Sequence, residues 1–248
     1  MYISLPKTLV IAATAVALSS ISNAAVAPIT AATYDVPIVG TMTDPVSFTS
    51  ITVSGQTYSN FEYGTGIIGS TPGYYFTDGE DPSSAVAALS NSILTDGVLN
   101  ITHGTTKVNF GRVITAQDLI FVTELVTSGT GETLAMGLID SSGNNIAGTA
   151  VNFGNVGAGS GDLFAFSAER STAGSTISAT LRGSGVFLSD FNSTGGTDAY
   201  GIYFSDSSGG VLDPSVVGIA TVPEPSAYAT LASLFAFALV GYRRKFKA

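Results

Sequence analysis

Three carboxylates sit within four residues in Thr77-Asp-Gly-Glu-Asp-Pro: Asp78, Glu80 and Asp81. Glycoside hydrolysis needs two carboxyl groups held on opposite sides of a sugar ring, and neighbours on one loop do not flank a ring. A hard cation such as Ca2+ suits them better, because it takes several oxygen ligands at a sharp turn. The spacing is not that of an EF-hand, and Asp81 can equally cap a following helix. Asp96 and Asp198 are further metal candidates, with turn formation as the competing role. The single His, His103 in Asn-Ile-Thr-His-Gly, would need a nucleophile and an orienting carboxylate to act as a base. The chain has no Gly-x-Ser-x-Gly elbow and no Cys, so nucleophilic catalysis by a thiol or an elbow serine is excluded. The Gly-rich run 154–161 lacks the Gly-Lys-Ser/Thr ending of a phosphate loop and reads as a hairpin loop. Tyr74, Tyr75, Tyr200 and Tyr203 are the side chains suited to stacking on sugar rings. These residues predict no enzyme, no catalytic set and no cofactor; Ca2+ at Asp78, Glu80 and Asp81 belongs to the alternative reading.

The elements that must carry these groups are strands. Residues 25–222 hold 28 of the 29 Gly in the 248-residue chain, a density that short strands and tight turns tolerate and long helices do not. Runs rich in β-branched and aromatic residues place strands at 34–42, 47–53, 57–63, 73–77, 98–102 and 106–110. Further strands are expected at 118–126, 133–139, 146–153, 162–168, 176–181, 185–191 and 199–204. Leu119–Val122 is continuously apolar, as in a central strand covered on both sides. Alternation puts Leu134, Met136 and Leu138 on one face, and Ile177, Ala179 and Leu181 on another. One short helix is expected near 82–94, with Asp81 as its cap and Pro82 as its first residue. The whole predicts an all-β fold, an antiparallel, jelly-roll-like β-sandwich. Residues 91–97 (Asn-Ser-Ile-Leu-Thr-Asp-Gly) loosely resemble the first core segment of discoidin-like carbohydrate-binding sandwiches, a likeness that implies the fold more than a ligand.

Both ends read as addresses. Lys7 precedes the apolar run Thr8–Leu18, and Ser22-Asn23-Ala24 fits a small-x-small cleavage site, so residues 1–24 form a signal peptide cut after Ala24. At the other end, Val222-Pro-Glu-Pro-Ser is followed by an uncharged stretch and then Arg243-Arg-Lys-Phe-Lys. A helix over about 226–242 at ~1.5 Å per residue just spans a bilayer with snorkelling Arg anchors. The basic tail 243–248 should stay cytoplasmic. Pro223-Glu224-Pro225, the apolar helix and the Arg243-Arg244 cluster resemble the PEP-CTERM sorting signal of Gram-negative bacteria. That resemblance covers residues 222–248. It implies processing by a membrane-embedded exosortase with a Cys-protease-like mechanism, after transient insertion in the inner membrane.

Between the addresses, residues 25–221 form one surface domain. Residues 25–222 carry 17 acids and only Lys107, Arg112, Arg170 and Arg182 as bases, a net charge of −13 against −9 for the whole chain. That balance argues against nucleic acid as a partner. The expected partners are signal peptidase and the secretion machinery, the exosortase-type enzyme, and extracellular polysaccharide. The expected role is that of an exported cell-surface or matrix protein, structural or adhesive. The alternative is a calcium-dependent carbohydrate-binding module; an ice-binding protein and a secreted hydrolase are remoter readings.

Overall fold

The computed structural model describes residues 26–42, 45–69, 74–77, 92–95, 98–100, 105–126, 133–149, 151–154, 161–170, 176–191, 196–205 and 214–222. Their strands, in chain order, are β1 (Ala27–Tyr34), β2 (Thr41–Met42), β3 (Phe48–Val53), β4 (Gln56–Tyr58), β5 (Asn60–Tyr63) and β6 (Gly66–Gly69). Then come β7 (Tyr74–Thr77), β8 (Val98–Asn100), β9 (Thr105–Asn109), β10 (Leu119–Val126) and β11 (Thr133–Ile139). The last are β12 (Val151–Gly154), β13 (Asp162–Arg170), β14 (Thr176–Phe187), β15 (Gly201–Ser205) and β16 (Pro214–Thr221). A 3-10 turn spans Leu188–Asp190. The fold is all-β, and pairing is antiparallel except where β2 lies parallel to β13.

The larger sheet runs β4-β3-β1-β14-β10-β16-β5, with β13, β2, β7 and β8 branching off it. Its two ends are consecutive in the chain. Tyr58, the last residue of β4, pairs with Ile51, and Asn60, the first of β5, pairs with Thr221. Only Ser59 stands between, and its N–H donates to Thr221 O. Residues 56–63 are therefore one bent strand that leaves β3 and joins β16, and the sheet rolls into a nearly closed barrel. The β1–β14 contact is short, pairing Ala27 with Gly185 and Pro28 with Ser184. β3 and β4 meet through Ser54-Gly55, both at positive φ (50° and 79°), the geometry of a type I′ hairpin turn.

Two cores follow from the alternation of side chains along the central strands. Leu119, Phe121 and Leu125 of β10 point into the barrel with Leu181, Val216, Ala220, Ile29, Ile51 and Val53. Phe121 meets Phe48, Phe61 and Tyr63 edge-on at 5.7–6.1 Å. The barrel is narrow enough that a Cβ on Gly218 would lie 2.5 Å from Phe121 Cζ. Ile120 and Val122 point the other way, with Val186, Val217 and Ile219, against the second sheet. That sheet, β12-β11-β15-β9-β6, contributes Met136, Leu138, Val151, Ile202, Phe204 and Val108. The unbroken apolar run in β10 is thus explained: each of its faces covers a different core.

Several expectations need correction. The strand expected at 34–42 lies earlier, at Ala27–Tyr34, and 35–40 is irregular apart from the short β2 that follows. Ile146–Phe153 shortens to Val151–Gly154, because 140–148 is occupied by turns. The strands expected at 176–181 and 185–191 are one 12-residue strand through Gly183 and Gly185, ending in the 3-10 turn. The run 154–161 is not a hairpin loop: β12 and β13, which it joins, belong to different sheets. Of the helix expected near 82–94, residues 82–91 lie outside the described residues, and the rest is not helical. Ile93 bridges to Ser47, and the Leu94 N–H is taken by Val46 O. The signal segment 1–24 and the span 226–242 also lie outside the described residues, among which no helix is long and apolar enough to cross a membrane.

Candidate functional site

The second sheet has one face in the inter-sheet core and one facing outward. Tyr203 of β15 pairs with Gly137 of β11 on one side and with Lys107 of β9 on the other. Their sequence neighbours Ile202, Phe204, Met136, Leu138 and Val108 all enter the core, so these three occupy the outer face. Tyr203 and Lys107 are both partly exposed. A Cβ on Gly137 would overlap Cε1, Cζ and the hydroxyl of Tyr203. The ring therefore leans sideways across the sheet, with its tip over the bare backbone of Gly137. Glycine is required there by close approach, not by φ.

Lys107 leans the same way. Its Nζ donates to Gly143 O at 2.6 Å, in the turn that follows β11, so its stem crosses β15. The turn is pre-shaped by Asp140, whose Oδ1 accepts from the N–H groups of Ser142 (2.8 Å) and Asn144 (2.9 Å). Asn144 Nδ2 donates to Oδ2 at 3.2 Å. These bonds, led by the Asn144 N–H and aided by the nearby Lys107 charge, hold the Asp140 carboxyl below its ordinary range. The outer face thus presents an aromatic ring, an anchored ammonium and a rigid polar turn side by side.

Among the described residues, two ion-pair systems lie elsewhere. Arg112, in the crossing from β9 to β10, donates from Nε and Nη2 to both oxygens of Glu62 at 2.7 and 3.0 Å. Its Nη1 and Nη2 reach the two oxygens of Asp118 at 2.9 Å each. Asp118 is 1% exposed and also accepts from Thr115 N (2.6 Å) and Oγ1 (2.9 Å). Burial pushes its carboxyl up, but the bonds from Arg112 and Thr115 outweigh it and leave it below the ordinary range. Hydrogen bonds to Asp118 and Glu62, with the charges of both carboxylates, outweigh burial and raise the Arg112 guanidinium above its ordinary value. Arg182 of β14 is 3% exposed, and its Nε donates to Asp162 Oδ1 at 2.7 Å. Among the described residues, its Nη1 and the hydroxyl of Thr106 are buried and meet no hydrogen-bond partner. Both systems are structural ties: one fixes the passage between sheets, the other joins β13 to β14.

Most sequence-predicted site residues lie outside the described residues: Asp78, Glu80 and Asp81, Asp96, His103, Ala24, and Pro223, Glu224, Pro225, Arg243 and Arg244. Asp198 is exposed, and among the described residues no three His, Cys, Asp or Glu side chains gather to hold a metal. Tyr200 is half-buried, its N–H given to Ile139 O and its carbonyl taken by Phe110 N. Tyr203 has the placement that stacking needs. The pairing that makes Tyr203 stand out, glycine across the strand, was readable only as an isolated Gly137 in an apolar run. Comparison with known proteins finds no matching family model and no significantly similar curated protein.

Proposed function

We propose that this is an exported protein, sorted through an exosortase-type step to the cell surface or extracellular matrix, where a jelly-roll-like domain plays a structural or adhesive part in association with polysaccharide. The observation that carries the reading is the order of signals in the chain: an export signal through Ala24, then the β-rich domain, then Pro223-Glu224-Pro225, an apolar stretch and Arg243-Arg244. Each has the chemistry its task needs. The prolines keep the backbone extended beside the membrane, the uncharged stretch arrests transfer, and the basic end fixes orientation. An acidic, Gly-rich all-β domain suits a soluble life outside the cell. Its described residues hold ion pairs that brace the fold.

The test is to express the chain without residues 222–248, and with Glu224→Gln combined with Arg243→Ala and Arg244→Ala. Loss of surface display, or retention of an unprocessed form in the inner membrane, is expected. Unchanged processing and display in both variants would overturn the reading. The second reading, a calcium-dependent carbohydrate-binding module, rests on the sequence cluster Asp78, Glu80 and Asp81. It requires a melting temperature that falls on chelation and is restored by Ca2+.

A further inference from the structure

We infer that the outer face of the second sheet carries a sugar-binding subsite, formed by Tyr203 laid over Gly137 with Lys107 beside it, that takes a neutral hexopyranose unit of a polysaccharide. The inference rests on the polysaccharide association proposed above and names the residues that would perform it.

A pyranose ring offers an apolar face of C–H groups and a rim of hydroxyls, so its receptor needs a flat apolar surface with polar groups at the edge. The Tyr203 ring provides that surface because it leans across the sheet over Gly137 instead of standing up from it. One side of the ring seals the bare strand backbone, and the other looks outward from a partly exposed position. Tyr34, Tyr58 and Tyr63 cannot serve in the same way, because their rings pack into or against the barrel core. Lys107 supplies the rim. An ammonium has three N–H donors, and Gly143 O takes one of them, which fixes where the others point without consuming them. Asp140 has already organised the turn that anchors Lys107, so ordering costs little on binding.

Charge decides between neutral and acidic sugars. Lys107 sits near Asp140, on a region of net charge −13, and a polyuronate would meet repulsion from most of that surface. A neutral glycan meets none.

The experiment is affinity electrophoresis of the full chain in mild detergent, in gels containing hydroxyethylcellulose, laminarin, galactomannan or dextran, with alginate as the acidic arm. Retardation by at least one neutral polymer is expected. Tyr203→Ala should weaken it about tenfold, whereas Tyr203→Phe should keep it, since the flat ring remains. Gly137→Val should weaken it as Tyr203→Ala does, by displacing the ring without removing it. Lys107→Met should weaken it about threefold. Should Tyr203→Ala or Gly137→Val fail to fold, the Tyr203→Phe and Lys107→Met pair decides. Retardation that Tyr203→Ala or Lys107→Met leaves unchanged would place sugar binding elsewhere and overturn this subsite alone. Binding to alginate only would also overturn it. Failure of every polymer to retard the parent chain would remove the polysaccharide association itself, and the subsite with it.

Discussion

Arg112 holds two carboxylates at once, and the two are not equivalent. Glu62 is half exposed and its pairing is screened by water, whereas Asp118 is buried and would be left facing a guanidinium and Thr115 donors if its charge were lost. Asp118→Asn should therefore lower unfolding stability by about 2–3 kcal/mol, read as a shifted urea midpoint with unchanged slope. Glu62→Gln should cost less than about 1 kcal/mol. The depressed Asp118 carboxyl binds its proton less readily when folded than when unfolded. Its contribution is present above the usual carboxylate pKa of about 4 and is lost as pH falls through the folded value. Asp118→Asn should flatten that acid limb, and an unchanged limb would discount the pairing. At the alkaline end, burial raises both Tyr34 and Tyr63 to about 12, with the Asp35 charge adding to the effect at Tyr63. Unfolded phenols ionise near 10, so stability should fall between about 10 and 12 and level off above. Tyr63→Phe should reduce that loss in thermal melts taken across the range. The Glu62 pairing was not legible in the sequence, because Glu62 and Arg112 are 50 residues apart and meet only through the barrel's topology.

At the scale of elements, the sequence was most informative where both faces of a strand are buried and least informative at strand ends. β11 lies where its alternation put it, and β10, buried on both faces with no freedom of register, lies within one residue of its expected start. β16 carries a continuous apolar run too, Val216–Ala220, yet it borders the Pro-Glu-Pro segment and does not separate from it by pattern alone. β1 mixes Ala and Pro with Ile29, Thr30, Thr33 and Tyr34 and is held by its partners β3 and β14. Glycine in sequence signals a turn, whereas Gly183, Gly185 and Gly218 lie inside strands, where Ile29, Leu119 and Phe121 fill the space a Cβ would need. Gly218→Ala should thus overpack the barrel and cost about 1–3 kcal/mol, seen as a lowered melting temperature. Phe121→Ala at the centre of the same cluster should cost about 3–5 kcal/mol. If Gly218→Ala melted like the parent, the tight contact with Phe121 would be wrong.

For the whole molecule, the all-β class and antiparallel pairing followed from composition and turn chemistry, but the rolled sheet did not. It depends on a bend at Ser59 and on pairings such as Asn60 with Thr221, which no local pattern encodes. The net charge of −13 on residues 25–222 also acts globally: raising NaCl from 10 to 300 mM should lift the melting temperature by about 2–4 °C as self-repulsion is screened. A flat response would mean that the acids are spread too widely to repel. The closing pairing sets an order of events. β16 lies between β10 and β5, so the barrel lacks a stave until Thr221 is free to dock. A chain crossing the membrane with its N-terminus leading would complete its domain only as its last 27 residues arrive there. Val222 alone separates the final strand from Pro223. Under the sorting proposed above, insertion of the last stave and capture of the tail would coincide, and a destabilised β16 would leave an unfinished barrel beside the segment to be processed.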